Sequence, residues 1–511
     1  MTAPAIHDST IESVLQARAG SDAARVAVRC GANAATYLEI ARDAEGFAHW
    51  LVHHGIKPHD RVALWLPNGV PWVSAHVGIS MAGAVSVPVS TRLVEREVAY
   101  VLTHSESRVV LAATRFLNRD YAAEARALAD KLPAMTVVAI DPDNGQLPSR
   151  PDSRSLPGCG PEDPAMVQYT SGTTGFPKGC VLSHRAWTNN ARLSAEVAGL
   201  TSDDVILCPS PFFHLFGSLT GLMGAFSVGA TFITTPSFTA AACVHAIQSL
   251  GVTRLVAVPT MWLDLMSYAG PTDLGTVRGG VWGGAGFPRS ALERAIDAYG
   301  WNLQAIYGMT EAPTLSQVRP DDPREQKLES VGRATPHIEL RIVDPSTTTD
   351  VPADQVGEIW ARGYNRMLGY LNDPVATDSR IHSEWVRSGD LGIVDGAGFL
   401  RVVGRLTDMI LVGGANVYAR EVEDVLTAMA GVALAAVVGR DDPRLGEVPV
   451  AWVVPTGRVE FDVSTVHHHC KQYLAGYKVP REIHIVPQIP LTASGKIHKA
   501  RLREWANSKR D

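Results

Sequence analysis

The sequence predicts an α/β fold: a large N-terminal domain of mostly parallel sheets with an antiparallel β subdomain, followed by a small α+β C-terminal domain. Up to about residue 310, short apolar runs alternate with helix-like stretches, which is typical of parallel sheets joined by crossover helices. Past residue 330, short strands are separated by Gly, Pro, Asn and Asp, and after Gly404 strands and helices mix. The chain has 511 residues, of which 46% are hydrophobic, so it can bury several cores.

In the first part, three units of a strand, a loop and a helix are predicted in order. Their strands are expected at residues 166–169, 255–258 and 303–307. After the first strand and a Gly/Ser/Thr loop, Ser183 is expected to cap a helix that ends near Gly199. Thr260 is the expected cap after the second strand, and Gly308 is expected to follow the third. Because loops at strand ends hold the ligands of α/β sheets, functional residues are expected there.

Past residue 330, the sequence predicts antiparallel strands and then a mixture of strands and helices. Antiparallel strands are expected at residues 338–343, 356–361, 391–394 and 399–403. After them, a helix is predicted from the apolar stripe Val422, Val425, Leu426 and Met429. Strands near 432–438, 448–454 and 483–486 and a helix near 463–474 complete the chain. We therefore predict two domains, residues 1–407 and 408–511.

Charge, cysteine content and hydropathy disfavour nucleic-acid-binding, secreted and membrane-spanning proteins. Lys and Arg total 46 against 52 Asp and Glu, and no basic run is present, which disfavours a nucleic-acid binder. The six cysteines show no CxxC spacing, and the N-terminus lacks a secretory apolar region, so a reducing cytoplasm is expected. The apolar stretch 212–235 is long enough to suggest a membrane span, but its glycines indicate a buried core segment instead.

The most informative segment runs from Tyr169 to Gly179, with the sequence YTSGTTGFPKG. Its three glycines let the backbone present N–H groups to an anion, four hydroxyls add donors, and Lys178 adds a positive charge. The loop is expected to lie between a strand and a helix. Because the GxxxxGK[ST] spacing is absent, it is not a Walker A loop. The composition predicts a binding loop for a polyphosphate.

This loop resembles the phosphate-binding signature of the adenylate-forming enzymes, which include acyl- and aryl-CoA synthetases, peptide-synthetase adenylation domains and beetle luciferases. Four further family motifs follow in the same order, at residues 307–311, 387–390, 404–408 and 490–496. On these five motifs the chain is identified as a member of the acyl-/aryl-CoA synthetase branch of that superfamily. The resemblance implies a ligase that uses ATP, Mg²⁺ and coenzyme A, with a mobile C-terminal domain.

The resemblance also implies which residues contact the nucleotide. Tyr307 packs on the adenine in the family, Asp390 binds the ribose hydroxyls, and Arg405 lies near the ribose and phosphate. The implied ATP- and AMP-binding residues are Thr170, Ser171, Gly172, Thr173, Thr174, Gly175, Lys178, Gly283, Gly284, Ala285, Tyr307, Gly308, Met309, Thr310, Asp390 and Arg405.

Catalytic roles are implied in the same way. Lys496 is expected to bridge the substrate carboxylate and the α-phosphate, and Glu311 is expected to hold Mg²⁺. Thr170 and His214 complete the implied catalytic set. Asp408 matches the hinge on which the small domain turns.

The acid is predicted to be apolar. No Asp, Glu, Lys or Arg occurs between Val205 and Thr253, so the ammonium of an amino-acid substrate would lack a partner there. The resemblance implies an acyl pocket lined by Phe213, His214, Met261, Trp282, Phe287, Ile306 and Met309. Such a pocket suits aryl, fatty or bulky alicyclic acids, terpenoid ones included.

The acceptor is predicted to be coenzyme A. The residues implied to contact it are Gly413, Gly414, Asn416, Tyr477, Lys478 and Arg481. The pantetheine arm of a carrier protein uses the same tunnel in the family and stays an alternative. The oligomeric state is left open, with a homodimer as one option.

Several alternatives to a complete ligase stay open from the sequence. The family motifs change at Leu406-Thr407, Leu411 and Ile497-His498, which is compatible with a specialist for thioester formation that receives acyl-AMP from another enzyme. An acyl-AMP ligase that loads a carrier protein, a luciferase-like oxygenase and a binding protein without turnover are the others. Residues 467–470, HHHC, are expected on a surface helix and not in a metal site, because successive helical side chains diverge.

Overall fold

The computed structural model describes residues 4–131, 135–143, 145–152, 154–170, 177–457, 462–491 and 497–508. Residues 171–176 of the predicted phosphate loop and Lys496 lie outside this set. The first part of the chain forms α1 (Ile11–Ser21), β1 (Val26–Cys30), β2 (Asn33–Thr36), α2 (Tyr37–His53), β3 (Arg61–Trp65), α3 (Val70–Met81), β4 (Val85–Pro88), α4 (Glu95–His104), β5 (Val109–Ala113), α5 (Tyr121–Ala129) and β6 (Thr136–Ile140).

The middle of the chain continues the alternation of strands and helices. It forms β7 (Pro164–Thr170), β8 (Lys178–Ser183), α6 (His184–Val197), β9 (Val205–Leu207), a π-helix (Phe216–Met223), α7 (Gly224–Val228), β10 (Thr231–Thr234), α8 (Ala240–Leu250), β11 (Arg254–Val256), α9 (Pro259–Tyr268), β12 (Gly279–Gly283), α10 (Arg289–Tyr299), β13 (Asn302–Met309), β14 (Ala312–Gln317), α11 (Arg324–Glu329) and β15 (Arg333–Ala334).

The last part contains mostly strands. It forms β16 (Ile338–Val343), β17 (Gly357–Gly363), β18 (Gly369–Tyr370), α12 (Pro374–Arg380), β19 (Ile381–His382), β20 (Trp385–Val394), β21 (Leu400–Arg405), a 3₁₀ helix (Leu406–Asp408), β22 (Met409–Val412), β23 (Ala415–Tyr418), α13 (Ala419–Ala428), β24 (Val432–Asp442), β25 (Gly446–Pro455), α14 (Val463–Tyr473), β26 (Glu482–Ile485) and α15 (Lys499–Asn507).

Two large sheets build the N-terminal domain, as predicted. One has seven strands in the order β18-β8-β7-β4-β3-β5-β6, and the other has nine in the order β15-β14-β13-β12-β11-β9-β10-β1-β2. The central strands of both pair in parallel, and antiparallel pairs occur towards the ends. Strands such as β5 and β12 are buried along their whole length, which explains their continuous apolar or glycine-rich sequences.

The antiparallel sheet and the C-terminal domain also agree with the prediction. Strands β16, β17, β20, β19 and β21 form one antiparallel sheet, which carries the predicted motif at residues 387–390. The separate C-terminal domain contains a five-stranded sheet with its own apolar core, in which Val422 and Leu426 of α13 are buried. The exact boundary at Asp408 stays a prediction.

Three local predictions are corrected by the structure. Thr260 does not cap the second helix, because α9 begins at Pro259 with Val258 at the N-cap, and the fixed φ of proline suits the first helical turn. Gly308 does not end its strand but lies inside β13, where a Cβ would come within 2.4 Å of the Thr314 nitrogen. The predicted phosphate loop leads into β8 before the helix α6 begins.

Other predictions about these segments hold. Ser183 caps α6, and its hydroxyl accepts a hydrogen bond from the Ala186 nitrogen. The apolar stretch 212–235 is divided among a π-helix, α7 and β10, and its side chains are largely buried. Among the described residues, none of the helices has both the length and the apolar character needed to cross a bilayer.

Candidate active site

The predicted phosphate loop connects two antiparallel strands. Thr170 at the end of β7 pairs with Lys178 at the start of β8, and the Thr170 hydroxyl donates to the Lys178 carbonyl at 3.5 Å. Ser171, Gly172, Thr173, Thr174 and Gly175, which were predicted to bind phosphate, lie between these strands and outside the described residues. The described ends of the loop therefore form a hairpin stem, and the Lys178 ammonium lies 5.1 Å from the centre of the Tyr370 ring.

Three predicted nucleotide-binding residues meet at one carboxylate, and we call Tyr307, Asp390 and Arg405 the Asp390 cluster. The Tyr307 hydroxyl donates to Asp390 Oδ2 at 2.9 Å, and Arg405 Nε donates to Asp390 Oδ1 at 3.0 Å. Strands β20 and β21 place Asp390 directly opposite Arg405. Burial, followed by the Asp390 charge, raises the pKa of Tyr307, so its hydroxyl stays protonated and remains a donor.

Glu311 lies at the tip of the β13–β14 hairpin, next to Thr310, and it is buried despite this position. The Tyr370 hydroxyl donates to Glu311 Oε1, and Arg380 Nη2 lies 3.6 Å from the same oxygen. Burial has the largest single effect and lowers the pKa of Arg380, but Glu311, Tyr370 and Asp390 together raise this pKa above its ordinary value, so the guanidinium stays charged. The carboxylate is thus held by one cation and one phenol.

A polar cavity of about 210 Å³ adjoins Glu311. It is lined by Lys178, Glu358, Tyr370, Ala376, Ser379, Arg380 and Arg387. Sequence reasoning named only Lys178 of this set as a site residue. Arg387 precedes Ser-Gly-Asp in a motif that was identified, so its position was a usable signal, whereas Tyr370, Arg380 and Glu358 carry no such motif.

The predicted adenine loop follows β12. Gly283 ends this strand, and a Cβ there would lie 2.6 Å from Ile306 Cγ2 of the neighbouring strand, so only glycine fits. Gly284 has a φ of +81°, and both Gly284 and Ala285 are exposed. The loop therefore offers bare backbone, which suits close approach by a flat ring.

The predicted acyl-pocket residues pack in more than one apolar core. Met261, Trp282 and Phe287 share an apolar core, and the rings of Trp282 and Phe287 meet edge to face at 5.4 Å. Ile306 belongs to the core of the larger sheets, while Met309 packs against the antiparallel sheet. Phe213 and His214 contact each other with ring centroids 4.7 Å apart. Phe216, which sequence reasoning did not select, lies beside Gly283.

On the C-terminal domain, the predicted CoA-binding residues occupy two places. Gly413 and Gly414 form the two-residue turn between β22 and β23, with φ values of +57° and +85° that favour glycine, and Asn416 follows on β23. Lys478 donates to both oxygens of Glu421 at 2.6 and 2.7 Å, while Tyr477 beside it is exposed. Arg481 is exposed, and its backbone nitrogen donates to the Pro449 carbonyl.

The predicted hinge residue Asp408 is held by the last helix. Arg503 donates to Asp408 Oδ1, and Lys499 Nζ lies 3.6 Å from Oδ2. Lys499 also contacts Glu423 Oε1 at 2.8 Å. Asp408 is therefore tied to the helix that follows Lys496 in the chain.

A group of potential metal ligands lies apart from these sites. Glu12, Cys159 and His184 have ligand atoms within 4.8 Å of one another. Burial, with a contribution from Glu12, raises the pKa of the Cys159 thiol, so it stays protonated and donates to Glu12 at 3.1 Å. The thiol and the carboxylate of this group are therefore hydrogen-bonded to each other.

Comparisons with known proteins agree with the motifs. The family model described as AMP-binding enzyme matches residues 15–371, and the one described as AMP-binding enzyme C-terminal domain matches residues 421–496. The 3-((3aS,4S,7aS)-7a-methyl-1,5-dioxo-octahydro-1H-inden-4-yl)propanoyl:CoA ligase of Mycobacterium tuberculosis is 36% identical over 92% of this chain and 93% of its own. A feruloyl-CoA synthase of Amycolatopsis sp is 34% identical over 93% and 95%.

A solved structure agrees as well. ATP-bound MatB from Rhodopseudomonas palustris superposes with a TM-score of 0.89 at 27% identity, covering 97% of this chain and 99% of that one. The fold, the ordered motifs and the family models thus lead to one assignment. The chain belongs to the AMP-binding enzyme family, and within it to the AMP-forming acyl-CoA ligases.

Proposed function

We propose that this ligase activates a bulky, apolar carboxylic acid with ATP and passes the acyl group from acyl-AMP to CoA. The observation that carries the nucleotide part is the Asp390 cluster, in which one carboxylate is held by side chains from two other strands. A carboxylate so held can accept hydrogen bonds from both hydroxyls of a ribose. The Tyr307 ring would then cover one side of the adenine, and the 283–285 loop would cover another side.

In the first step, an oxygen of the substrate carboxylate attacks the α-phosphorus of ATP, and pyrophosphate leaves. Thr170, Lys178 and the loop between them would hold the phosphates. Lys496 would bridge the attacking carboxylate and the α-phosphate, where negative charge develops. By analogy with other oxyanion donors, such a cation lowers the barrier by about 3–4 kcal/mol.

The chemistry around Glu311 fits a divalent cation. Among the described residues, the contacts from Tyr370 and from Arg380 go to Oε1, so Oε2 would be the oxygen that binds a hard cation. One carboxylate together with phosphate oxygens is a usual ligand set for Mg²⁺. Bound Mg²⁺ would neutralise part of the phosphate charge, and Glu311 is the residue that would hold it.

In the second step, the C-terminal domain would rotate about Asp408 and withdraw Lys496. The CoA thiol would then enter along Gly413, Gly414 and Asn416. Its thiolate sulfur attacks the acyl carbonyl carbon, the bond from that carbon to the phosphate oxygen breaks, and AMP leaves. His214 is placed by the family resemblance near this carbonyl. Using two domain positions lets one site serve two transition states.

The apolar character of the acid is supported by the segment between Val205 and Thr253, which carries no charged side chain of Asp, Glu, Lys or Arg. The edge-to-face pair of Trp282 and Phe287 adds aromatic surface nearby in the fold. The two relatives named above are a ligase of an octahydro-indenyl propanoyl group and a feruloyl-CoA synthase, and both of these acyl groups contain rings. We therefore propose a ring-containing acid, aromatic or alicyclic, as the substrate.

The proposal is tested by measuring pyrophosphate release and CoA ester formation across a panel of acids. The panel should contain aryl-propenoic, alicyclic propanoic, medium-chain fatty and amino acids. Wild-type enzyme should release pyrophosphate and form the ester with ring-containing acids, and it should reject amino acids. Activity confined to amino acids would contradict the proposed pocket.

Lys496→Ala tests the two half-reactions separately. We expect this variant to lose acyl-AMP formation and to keep ester formation from supplied acyl-AMP. Lys471→Ala, an exposed lysine on α14, is the matched control and should keep both. If wild-type enzyme converts only supplied acyl-AMP, it is a specialist for the second step, and the role proposed for Lys496 is wrong.

The acceptor is tested in the same assay. Formation of a thioester on a carrier protein but not on CoA would identify the carrier protein as the acceptor. Cytoplasmic location and a homodimer stay predictions.

A further inference from the structure

Glu358 is a buried carboxylate that no motif pointed to. It lies near the start of β17, and only 2% of its surface is exposed. A buried charge is costly unless other groups pair with it and donate hydrogen bonds to it. The partners of Glu358 therefore indicate what this residue is for.

Both oxygens of Glu358 are used. Oε2 accepts from the Trp360 indole nitrogen at 2.9 Å and from Arg387 Nη2 at 2.9 Å. Oε1 accepts from the backbone nitrogen of Gly389 at 3.1 Å. The side chain thus joins its own strand to the two ends of the Ser388-Gly389 turn.

The pairing of β17 with β20 explains why a bridge is needed here. Glu358 lies opposite Leu391 and Trp360 lies opposite Arg387, so one residue of β17 faces three residues of β20. The extra residues are Ser388, Gly389 and Asp390, and Gly389 has a φ of +73°. Such a bulge interrupts the hydrogen bonds between the two strands and changes the direction of a side chain. Because the ladder bonds are missing there, other hydrogen bonds must fix the shape of the bulge.

Asp390 is the side chain that this bulge presents. Tyr307 and Arg405 hold its two oxygens from one side, as described above. Glu358 holds the backbone of the same turn from the other side, and Arg380 Nη1 donates to the Arg387 carbonyl at 2.9 Å. The direction of the Asp390 carboxylate thus depends on the turn as well as on its direct partners.

We propose that Glu358 is a positioning residue that fixes the 388–390 turn, so that Asp390 can distinguish a ribose from a deoxyribose. This inference rests on the proposed function, because it assumes that Asp390 binds the nucleotide sugar. Glu358 lines the polar cavity next to Glu311, but it is only 2% exposed and both of its oxygens already accept hydrogen bonds, so we expect it to act on the sugar through the turn. It acts on selectivity for the sugar and not on the phosphate chemistry.

The test is the binding of AMP and of 2′-deoxy-AMP, measured by calorimetry on wild-type enzyme and on Glu358→Gln. The substitution keeps the shape of the side chain but points an amide N–H₂ at groups that are themselves donors. We expect the affinity for AMP to fall about tenfold while that for 2′-deoxy-AMP changes little, the size expected for a charge-assisted hydrogen bond. The ratio of the two affinities is the readout, since a general loss of structure would lower both equally.

Glu339→Gln is the matched control, because Glu339 is an exposed carboxylate of the same sheet that pairs with Arg362. It should leave both affinities unchanged. Should Glu358→Gln fail to fold, Arg387→Gln removes the opposite partner of the same bond at a residue whose side chain is 34% exposed. It should lower the ratio in the same direction. Unchanged discrimination in a folded Glu358→Gln or Arg387→Gln variant would overturn the inference.

The outcome for wild-type enzyme separates the two proposals. If the wild type binds AMP and 2′-deoxy-AMP equally, or binds neither, then the proposed role of Asp390 fails, and with it the basis of this inference. If the wild type discriminates and the variants discriminate equally well, only the role of Glu358 fails.

Discussion

The nucleotide side of the large domain and the proposed CoA face of the small domain are built differently. In the Asp390 cluster, side chains from separate strands converge on one buried carboxylate. On the small domain, Lys478 is paired with Glu421, and Asp408 is paired with Lys499 and Arg503. At Asp390 a carboxylate that is already held by Tyr307 and Arg405 can accept further hydrogen bonds from a ligand. On the small domain, Lys478 must leave Glu421 before its ammonium can bind a phosphate.

This difference has an energetic meaning. Removing one member of a buried, hydrogen-bonded charge pair costs about 2–5 kcal/mol, because the other charge is left without a partner. A fully exposed ion pair contributes about 0–1 kcal/mol, but the small-domain pairs are part-buried, with Lys478 20% and Asp408 17% exposed. Both regions are therefore expected to be sensitive to substitution. They differ in what a ligand must do, because on the small domain it has to displace a partner, whereas at Asp390 it adds to the existing hydrogen bonds.

The largest effect is expected for Asp390→Asn. The amide cannot accept equally from Tyr307, Arg405 and a ribose, so kcat/KM for ATP should fall about 100-fold in the pyrophosphate-release assay. Asp350→Asn is the control, since Asp350 is an exposed carboxylate that pairs with Arg341. A loss of less than about threefold for Asp390→Asn would show that the convergence of this cluster is unrelated to nucleotide binding.

The two regions also differ in how much of them was predictable from the sequence. Tyr307, Asp390 and Arg405 stand in motifs, and their strands were predicted from short apolar runs, so their meeting followed from the resemblance. The bridge from Glu358 to Gly389 was not predictable, because it depends on a bulge in the β17–β20 ladder that no local pattern encodes. The pairing of Lys478 with Glu421 joins residues 57 positions apart and requires the packed domain.

Helix starts were partly predictable for a similar reason. Ser183 caps α6 because its own hydroxyl reaches the Ala186 nitrogen, which is a local interaction. At Thr260 the same logic failed, because Pro259 already begins α9. The acyl-pocket residues were named from the resemblance, but their division among separate cores depends on how the sheets pack.

A smaller effect is expected when the pH is lowered: the free energy of unfolding should fall because of two buried histidines in the large domain. Burial lowers the pKa of His76 to about 3 and that of His184 to about 4. The unfolded chain, with an ordinary histidine pKa near 6.5, binds protons first as the pH falls. The free energy of unfolding should therefore decrease below pH 6.5, by about 1.4 kcal/mol per pH unit for each group, until the folded pKa is reached.

Urea unfolding at pH 7, 6 and 5 measures this slope. Trp72 and Trp187 have ring centroids 5.0 and 6.0 Å from His76, so two of the 11 tryptophans that contribute to the fluorescence lie beside this histidine. His76→Gln should reduce the slope by the contribution of one histidine. His468→Gln, an exposed position on the small domain, should leave it unchanged. Equal slopes for wild type and His76→Gln would contradict the buried, neutral state of His76.

The smallest effect is expected for Lys478→Met, measured as KM for CoA in ester formation from supplied acyl-AMP. Because the Lys478 ammonium is already bound to Glu421, only a part of its charge is available to CoA, and KM should rise about threefold. Glu421→Gln should have the opposite sign and lower KM, since it releases the lysine. Lys471→Met, which removes an exposed charge from the same domain, should leave KM unchanged. A rise of tenfold or more for Lys478→Met would show that the lysine leaves Glu421 for a phosphate, and the contrast between the two faces would then be smaller than the ion pairs suggest.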